Sequence, residues 1–237
     1  MRDRRYEAVI HMVSAADGAE QFYTDANNEA RYETVEQAVE LDKKLINAWV
    51  GHPHFSIIDN VSQGFQNKID RCVDTVFKTI GMPTPQSYHK KFLLVTLPGM
   101  FDINTPLSIK KEVFQIGETF LMATKEGTES FVRKIGKNDS YIYNHEVRLY
   151  QNNERILKKR QISAREYIEM LDQKATGFRE LKKFRQCFIY EQQYFIVETF
   201  LNCDNQPSLL RIETSKEQSE LKIPSFVKIL KEVTQND

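Results

Sequence analysis

From His89 to Val233 the chain is a succession of stretches whose alternate positions carry basic side chains. Ser130–Ile135, Tyr141–Tyr150, Glu154–Ile162, Lys182–Tyr190, Gln193–Leu201 and Ser208–Thr214 each have the length and pattern of a β-strand. Residues two apart in a strand share a face. In Tyr141–Tyr150, the residues Tyr141, Tyr143, His145, Val147 and Leu149 therefore fall on one face, and Asn144, Glu146 and Arg148 on the other. Lys183 shares a face with Arg185 in the same way, and Arg211 with Glu213. One greasy face and one charged face, repeated along the chain, fits two architectures. A sandwich scatters its charged faces over the surface, whereas a closed barrel with a polar lumen makes them converge.

The first third has another grammar. Ala8–Val13 is a continuous apolar run, as in a parallel strand covered on both faces. After a polar loop over Ser14–Asn28, residues Glu29–Val50 show helical recurrence in Val35, Ala38, Val39, Leu45, Ile46 and Trp49. Gly51-His52-Pro53 stops that helix, and Phe55–Ile58 is a second short strand. A second helix places Phe65, Ile69, Cys72, Val73, Val76, Phe77 and Ile80 on one stripe, with Gly81 as its C-cap. Strand, helix, strand, helix is a parallel α/β unit. Two strands make an incomplete sheet, so the expectation is that either the rest of the sheet is missing from this sequence or a protein partner supplies it. The expected fold class is α+β: a partial parallel α/β unit over residues 1–82, a linker at 83–88, and a mainly antiparallel barrel with flanking helices over 89–237. Lys111–Thr124 is a further strand, and Ser163-Ala-Arg-Glu166 is a capping box that opens a helix. Pro224–Val233 reads as a short amphipathic helix.

The 33 basic and 33 acidic side chains cancel, which argues against a general nucleic-acid binder. Cys72, Cys187 and Cys203 are odd in number, scattered and without a CxxC pair, so neither a zinc site nor a disulfide framework is expected. A reducing, cytoplasmic setting is the default for such a chain. No apolar run approaches the roughly 20 residues of a membrane span, and Met1–Tyr6 lacks the apolar core of a signal peptide.

A phosphate loop is not found: Gly136-Lys137 has neither the upstream glycine nor a following Ser or Thr. His52 and His54 flank Pro53 without a third metal ligand nearby, so an ordinary turn is favoured over a metal site. His11, inside an apolar run, reads as a satisfied core histidine. Asp59 stands at a strand end, where α/β enzymes place functional acids. Asn28 and Arg31, at the expected start of the first helix, either present donors to an anion or cap the helix. The larger signal is in the strands. Lys91, Arg133, Lys134, Arg148, Lys158, Arg160, Lys183, Arg185 and Arg211 are candidate anion ligands, because a guanidinium binds phosphate through two parallel hydrogen bonds. Two readings stay open: a solvated outer face matched by Glu146, Glu154, Glu198 and Glu213, or an enclosed, acid-poor cavity.

Tyr6–His11, Ala15-Ala-Asp-Gly18, Phe22-Tyr23, Asn27–Arg31 and Trp49–Pro53 together resemble the C-terminal half of the AAA-type ATPase domain of the TRPL-translocation-defect-14 family. Lys90–Leu94, Ile162–Tyr167, Lys183–Phe188, Ile223–Phe226 and Glu232–Thr234 are similar to that family's second domain. The resemblance implies the end of a P-loop domain followed by a CYTH-like triphosphate-tunnel barrel. It also implies guanine-nucleotide or anionic-phospholipid binding and a role in protein trafficking. The family's phosphate-loop half is not in this sequence. The wider tunnel superfamily carries ExExK on the first strand, where carboxylates hold a metal. Lys90–Leu94 has no acid, so metal-assisted triphosphate hydrolysis is not expected.

The expectation is a non-catalytic protein that binds a phosphorylated ligand, a nucleotide or an anionic phospholipid headgroup, with no metal and no catalytic residue assigned. Its setting is cytoplasmic, ciliary or cytoskeletal. One alternative is a structural accessory subunit of a cytoskeletal, ciliary or organellar assembly. The lesser alternative is a phosphohydrolase.

Overall fold

The structure is a computed structural model and describes residues 5–24, 31–60, 64–82, 88–95, 105–123, 125–151, 154–214 and 221–234. Strands β1 (Val9–Met12) and β2 (Phe55–Ile58) pair in parallel, Val9 opposite Phe55 and Met12 opposite Ile58. Helix α1 (Val35–Ala48) makes the crossover. Its start is set by Thr34, whose hydroxyl accepts from the Gln37 N–H at 3.3 Å while Gln37 Oε1 accepts from the Thr34 N–H at 2.9 Å. The helix expected from Glu29 therefore begins at Val35, and Arg31 lies outside it; Asn28 lies outside the described residues.

Helix α2 (Gly64–Thr79) ends where Gly81 predicts. Gly81 N–H donates to the Lys78 carbonyl and Met82 N–H to the Phe77 carbonyl, with Gly81 at φ +78°. The face that α2 buries is not its apolar stripe. Lys68 and Arg71 are buried, whereas Phe65 is 74% and Ile80 63% exposed. Lys68 donates to the Val13 carbonyl and to Asn60 Oδ1, and Arg71 holds Asp59 at 2.9 Å. The polar ends of β1 and β2 need donors, and an unpaired buried carboxylate costs more than a few exposed apolar side chains.

The second sheet has nine strands in the order β11-β3-β10-β9-β8-β4-β5-β6-β7, all paired antiparallel. They are β3 (Tyr88–Leu94), β4 (Lys111–Leu121), β5 (Thr128–Lys137), β6 (Ser140–Gln151), β7 (Glu154–Ile162), β8 (Leu181–Tyr190), β9 (Gln193–Phe200), β10 (Ser208–Thr214) and β11 (Ile229–Glu232). Helix α3 (Ala164–Leu171) follows β7 and starts at the Ser163–Glu166 capping box. The C-terminal segment corrects an expectation. Its end is strand β11 on the edge of β3, not a helix, while Val227 joins the core beside Phe92 and Leu94. The closed barrel is corrected too: among the described residues the sheet is open, with β11 and β7 as its edges.

The sheet is nevertheless curled. Lys159 on β7 and Arg185 on β8 stand four strands apart, roughly 19 Å in a flat sheet. Yet the Arg185 charge is close enough to depress the pKa of Lys159. Two patches of the outer face are apolar and covered. Phe188, Phe195, Leu210 and Ile212 pack under the C-terminal segment, and Val132 and Ile162 pack under Tyr167 of α3. The inner face receives the N-terminal unit at one end, where Val13, Ile46, Val50 and Phe55 share a core with Phe114, Ile116, Cys187 and Tyr194. The incomplete two-stranded sheet is thus covered in part by the chain's own β4, β8 and β9.

Candidate functional site

Register decides which charges meet. Glu118 lies opposite Arg133, Arg133 opposite Asn144, and Glu146 opposite Lys159. On the other side Arg185 lies opposite Glu198, and Arg211 opposite Lys91. Directly opposed residues share a face, so Lys91, Glu118, Arg133, Glu146, Arg148, Lys159, Lys183, Arg185, Glu198 and Arg211 all point to the inner face. This charged zone begins where the apolar contact with the N-terminal unit ends.

Three carboxylates form its centre. Glu118, Glu146 and Glu198 are 3%, 1% and 3% exposed. Arg133 grips Glu118 through Nε at 2.7 Å and reaches Glu146 at 2.5 Å, and Lys183 binds the second Glu118 oxygen at 2.7 Å. Arg185 holds Glu198 through Nε at 2.9 Å and a terminal nitrogen at 2.5 Å, with Arg211 3.7 Å from the other oxygen. Burial pushes the Glu118 carboxyl up, but Arg133 and Lys183 overcome it and hold the pKa at about 2. Glu198 lies well below the ordinary range: burial raises it, and Arg185, Lys183 and Arg211 more than reverse that.

The cations exceed the acids they neutralise. Arg133, Lys183, Arg185 and Arg211 already outnumber the three carboxylates, and Lys159 and Arg148 flank them. Arg148 stacks 4.4 Å over the Phe131 ring and donates to Glu129 at 3.1 Å. Its Nε is buried without a hydrogen-bond partner among the described residues. Half-buried Lys159 has its pKa lowered to about 8, by burial first and by Arg133 and Arg185 against the pull of Glu146.

Of the strand positions singled out in the sequence, Lys91, Arg133, Arg148, Lys183, Arg185 and Arg211 share the inner face. Lys134, Lys158 and Arg160 do not. Lys134 sits 4.0 Å over the Tyr141 ring, and exposed Arg160 binds Glu166 at 2.9 Å. The acid-poor cavity is corrected as well, since Glu146 and Glu198 are buried members of the cluster and not marks of a solvated face. Lys159 and Glu118 were not found from sequence. Lys158-Lys159-Arg160 is basic at three consecutive positions, so alternation alone gives no parity; the pairing with Glu146 supplies it.

The candidates of the N-terminal unit are engaged elsewhere. Asp59 is bound by Arg71, and Arg31 donates to the Thr24 carbonyl. His11 stands 3.1 Å from Asp42. His52 is fully buried, with Nε2 3.2 Å from the Tyr6 carbonyl, while His54 Nε2 is 3.2 Å from Lys159 Nζ.

A metal ion of the kind the tunnel superfamily uses does not fit this arrangement. Hard cations need several oxygen ligands. Here the Glu118 and Glu198 oxygens face guanidinium and ammonium groups. Among the described residues no group of three His, Cys, Asp or Glu side chains is gathered to hold one.

The site thus sits on the inner face of a large antiparallel sheet with few helices. No family model matches the chain, and no curated protein does. Among solved structures the chain is similar to the inorganic triphosphatase NE1496, at 17% identity and a TM-score of 0.44, over 65% of this chain and 89% of that one. It is similar to PH1819 from Pyrococcus horikoshii OT3 at 12% identity and a TM-score of 0.39, over 56% and 81%. It is also similar to HpAC1 from Hippeastrum, an adenylyl cyclase by name with a dominant triphosphatase activity, at 8% identity and a TM-score of 0.38, over 55% and 80%. No helix of the described residues is long and apolar enough to cross a membrane.

Proposed function

We propose that the inner face binds a ligand bearing several phosphate charges and does not hydrolyse it. One observation carries this reading: buried and half-buried cations outnumber the three buried carboxylates they surround. A surplus of desolvated positive charge favours an anion that completes the neutralisation. The orphan Nε of Arg148 offers a donor ready for it. The non-catalytic half of the reading rests on the carboxylates, which are held by cations and leave no ligand set for a metal. A nucleotide and an anionic phospholipid headgroup share the required phosphate chemistry, and the headgroup accords with the role in protein trafficking that the sequence resemblance implies. On the same reading, β1–α1–β2–α2 is the retained end of a P-loop domain, used as a wall for the inner face.

The test is a thermal shift with sodium tripolyphosphate, GTP and inositol trisphosphate. At least one should raise the melting temperature, and the Arg148→Ala/Arg211→Ala variant should lose that rise. No shift with any of the three sinks the proposal, and release of phosphate from the first two ligands sinks its non-catalytic half.

A second reading, an accessory subunit, is favoured by α2. Phe65, Val73, Val76, Phe77 and Ile80 form an exposed apolar stripe, and such patches mark interaction surfaces. A chain that stays monomeric and monodisperse at high concentration, and whose Phe65→Ser/Ile80→Ser variant gains nothing in solubility, would weigh against it.

A further inference from the structure

The N-terminal unit does more than rest on the sheet. It reaches the charged zone where His54, just before β2, stands 3.2 Å from Lys159 on edge strand β7. Nearby, Gly81 packs against the Leu157 carbonyl of the same strand. Three residues before His54 in the same loop, Gly51 N–H donates to the Tyr194 hydroxyl on β9. The loop between α1 and β2 thus touches both β9 and β7.

Lys159 is facing mixed company. Glu146 on β6 is its cross-strand partner, Arg133 on β5 and Arg185 on β8 repel it, and the His54 imidazole is the group its ammonium touches. A neutral imidazole accepts a hydrogen bond from the lysine but supplies no counter-charge. The lysine therefore lacks the anion that Lys183 has in Glu118.

We propose that Lys159 is a further ligand-binding cation of the inner face, held by His54 until a phosphorylated ligand arrives, and that the ligand engages it together with one proton from solvent. The inference rests on the phosphate-binding reading above. Binding turns the lysine from His54 to phosphate and fixes it as ammonium, and the proton comes from buffer. The same event removes a contact between β7 and the N-terminal unit, so ligand binding and seating of that unit are coupled. With the Lys159 pKa lowered to about 8, the uptake is about half a proton at that pH and grows above it, and affinity falls as the pH rises beyond it.

The experiment is titration calorimetry of tripolyphosphate into the full chain at pH 8, in two buffers of different ionisation enthalpy. The Lys159→Arg variant keeps the charge but cannot lose the proton, and the ligand's own ionisation cancels in the comparison. Wild type should take up about half a proton more per ligand than the variant. Equal uptake overturns the inference while leaving phosphate binding intact. Absence of binding by wild type overturns the reading beneath it and the inference with it. Should Lys159→Arg not fold, Lys159→Met serves: its affinity should follow only the ligand's ionisation between pH 7 and 9, and a wild-type pH profile in that variant overturns the inference.

Discussion

Glu118 on β4 and Lys183 on β8 are joined at 2.7 Å in a setting where both are more than nine-tenths buried, and the same carboxylate is gripped on its other oxygen by Arg133. Breaking a buried charge network from one side strands the partners without compensation. Glu118→Gln should therefore cost about 3–5 kcal/mol in urea unfolding. The paired replacement Glu118→Gln/Lys183→Met should recover part of that loss. A single variant within about 1 kcal/mol of wild type would show that the cluster is hydrated and weak.

Acid should act through the same carboxylates. The folded-state pKa of Glu118 is depressed to about 2, and that of Glu198 is depressed well below its ordinary value. A depressed carboxyl contributes stability that is present above its unfolded pKa and lost as pH falls through the folded one. Melting temperature should thus decline from about pH 4.5 toward pH 2, and the decline should be shallower in Glu118→Gln.

On the proposed reading, position on the sheet separates the cations that would meet a phosphorylated ligand from bystanders. Arg148→Ala should weaken tripolyphosphate by about tenfold, the loss of one charge-assisted contact. Lys134→Ala and Arg160→Ala, on the outer face, should leave affinity within about twofold of wild type. Calorimetry on the three variants decides it, and equal weakening by all three would mean general electrostatic attraction.

Gly51 is a wedge between the two parts of the chain. Its φ is +88°, and a Cβ there would lie 2.7 Å from Phe114 Cζ and 3.0 Å from Glu112 Cβ. Gly51→Ala combines a left-handed backbone with overpacking and should cost about 2–4 kcal/mol. Thermal melts check this; a neutral result would show that the N-terminal unit docks loosely.

The β8–β9 hairpin carries an improvable turn. Glu191 and Gln192 sit at φ +49° and +56°, the backbone of a type I′ turn that asparagine and glycine favour. Glu191→Asn should raise stability by about 0.5–1 kcal/mol. Gln192 is better kept, because its amide binds Asp17 of the N-terminal unit at 2.5 Å. A fall in the unfolding midpoint would contradict the turn geometry.

Local chemistry was written plainly in the chain. The strands from Lys111 to Thr214, the Ser163 capping box and the Gly81 cap follow from alternation, caps and turns, which act within a few residues. Alternation also placed Asn144, Glu146 and Arg148 on one face. It failed where a longer-range pairing competed. The Pro224–Val233 segment has a helical pattern but adds a strand to β3, and α2 turns its apolar stripe outward because Asp59 and the strand ends call for Lys68 and Arg71.

By itself the sequence determined which residues form strands and which side chains within one strand share a face, because a side-chain period of two is a property of the strand alone. Only the tertiary structure decided which faces meet. Register across β4, β5, β6 and β7 set Lys159 beside Glu146 and placed Lys134 and Arg160 outside, and the curl of the sheet brought β7 toward β8. A shift of one residue in any of those pairings would exchange the two faces, and no stretch of the chain read alone encodes that choice.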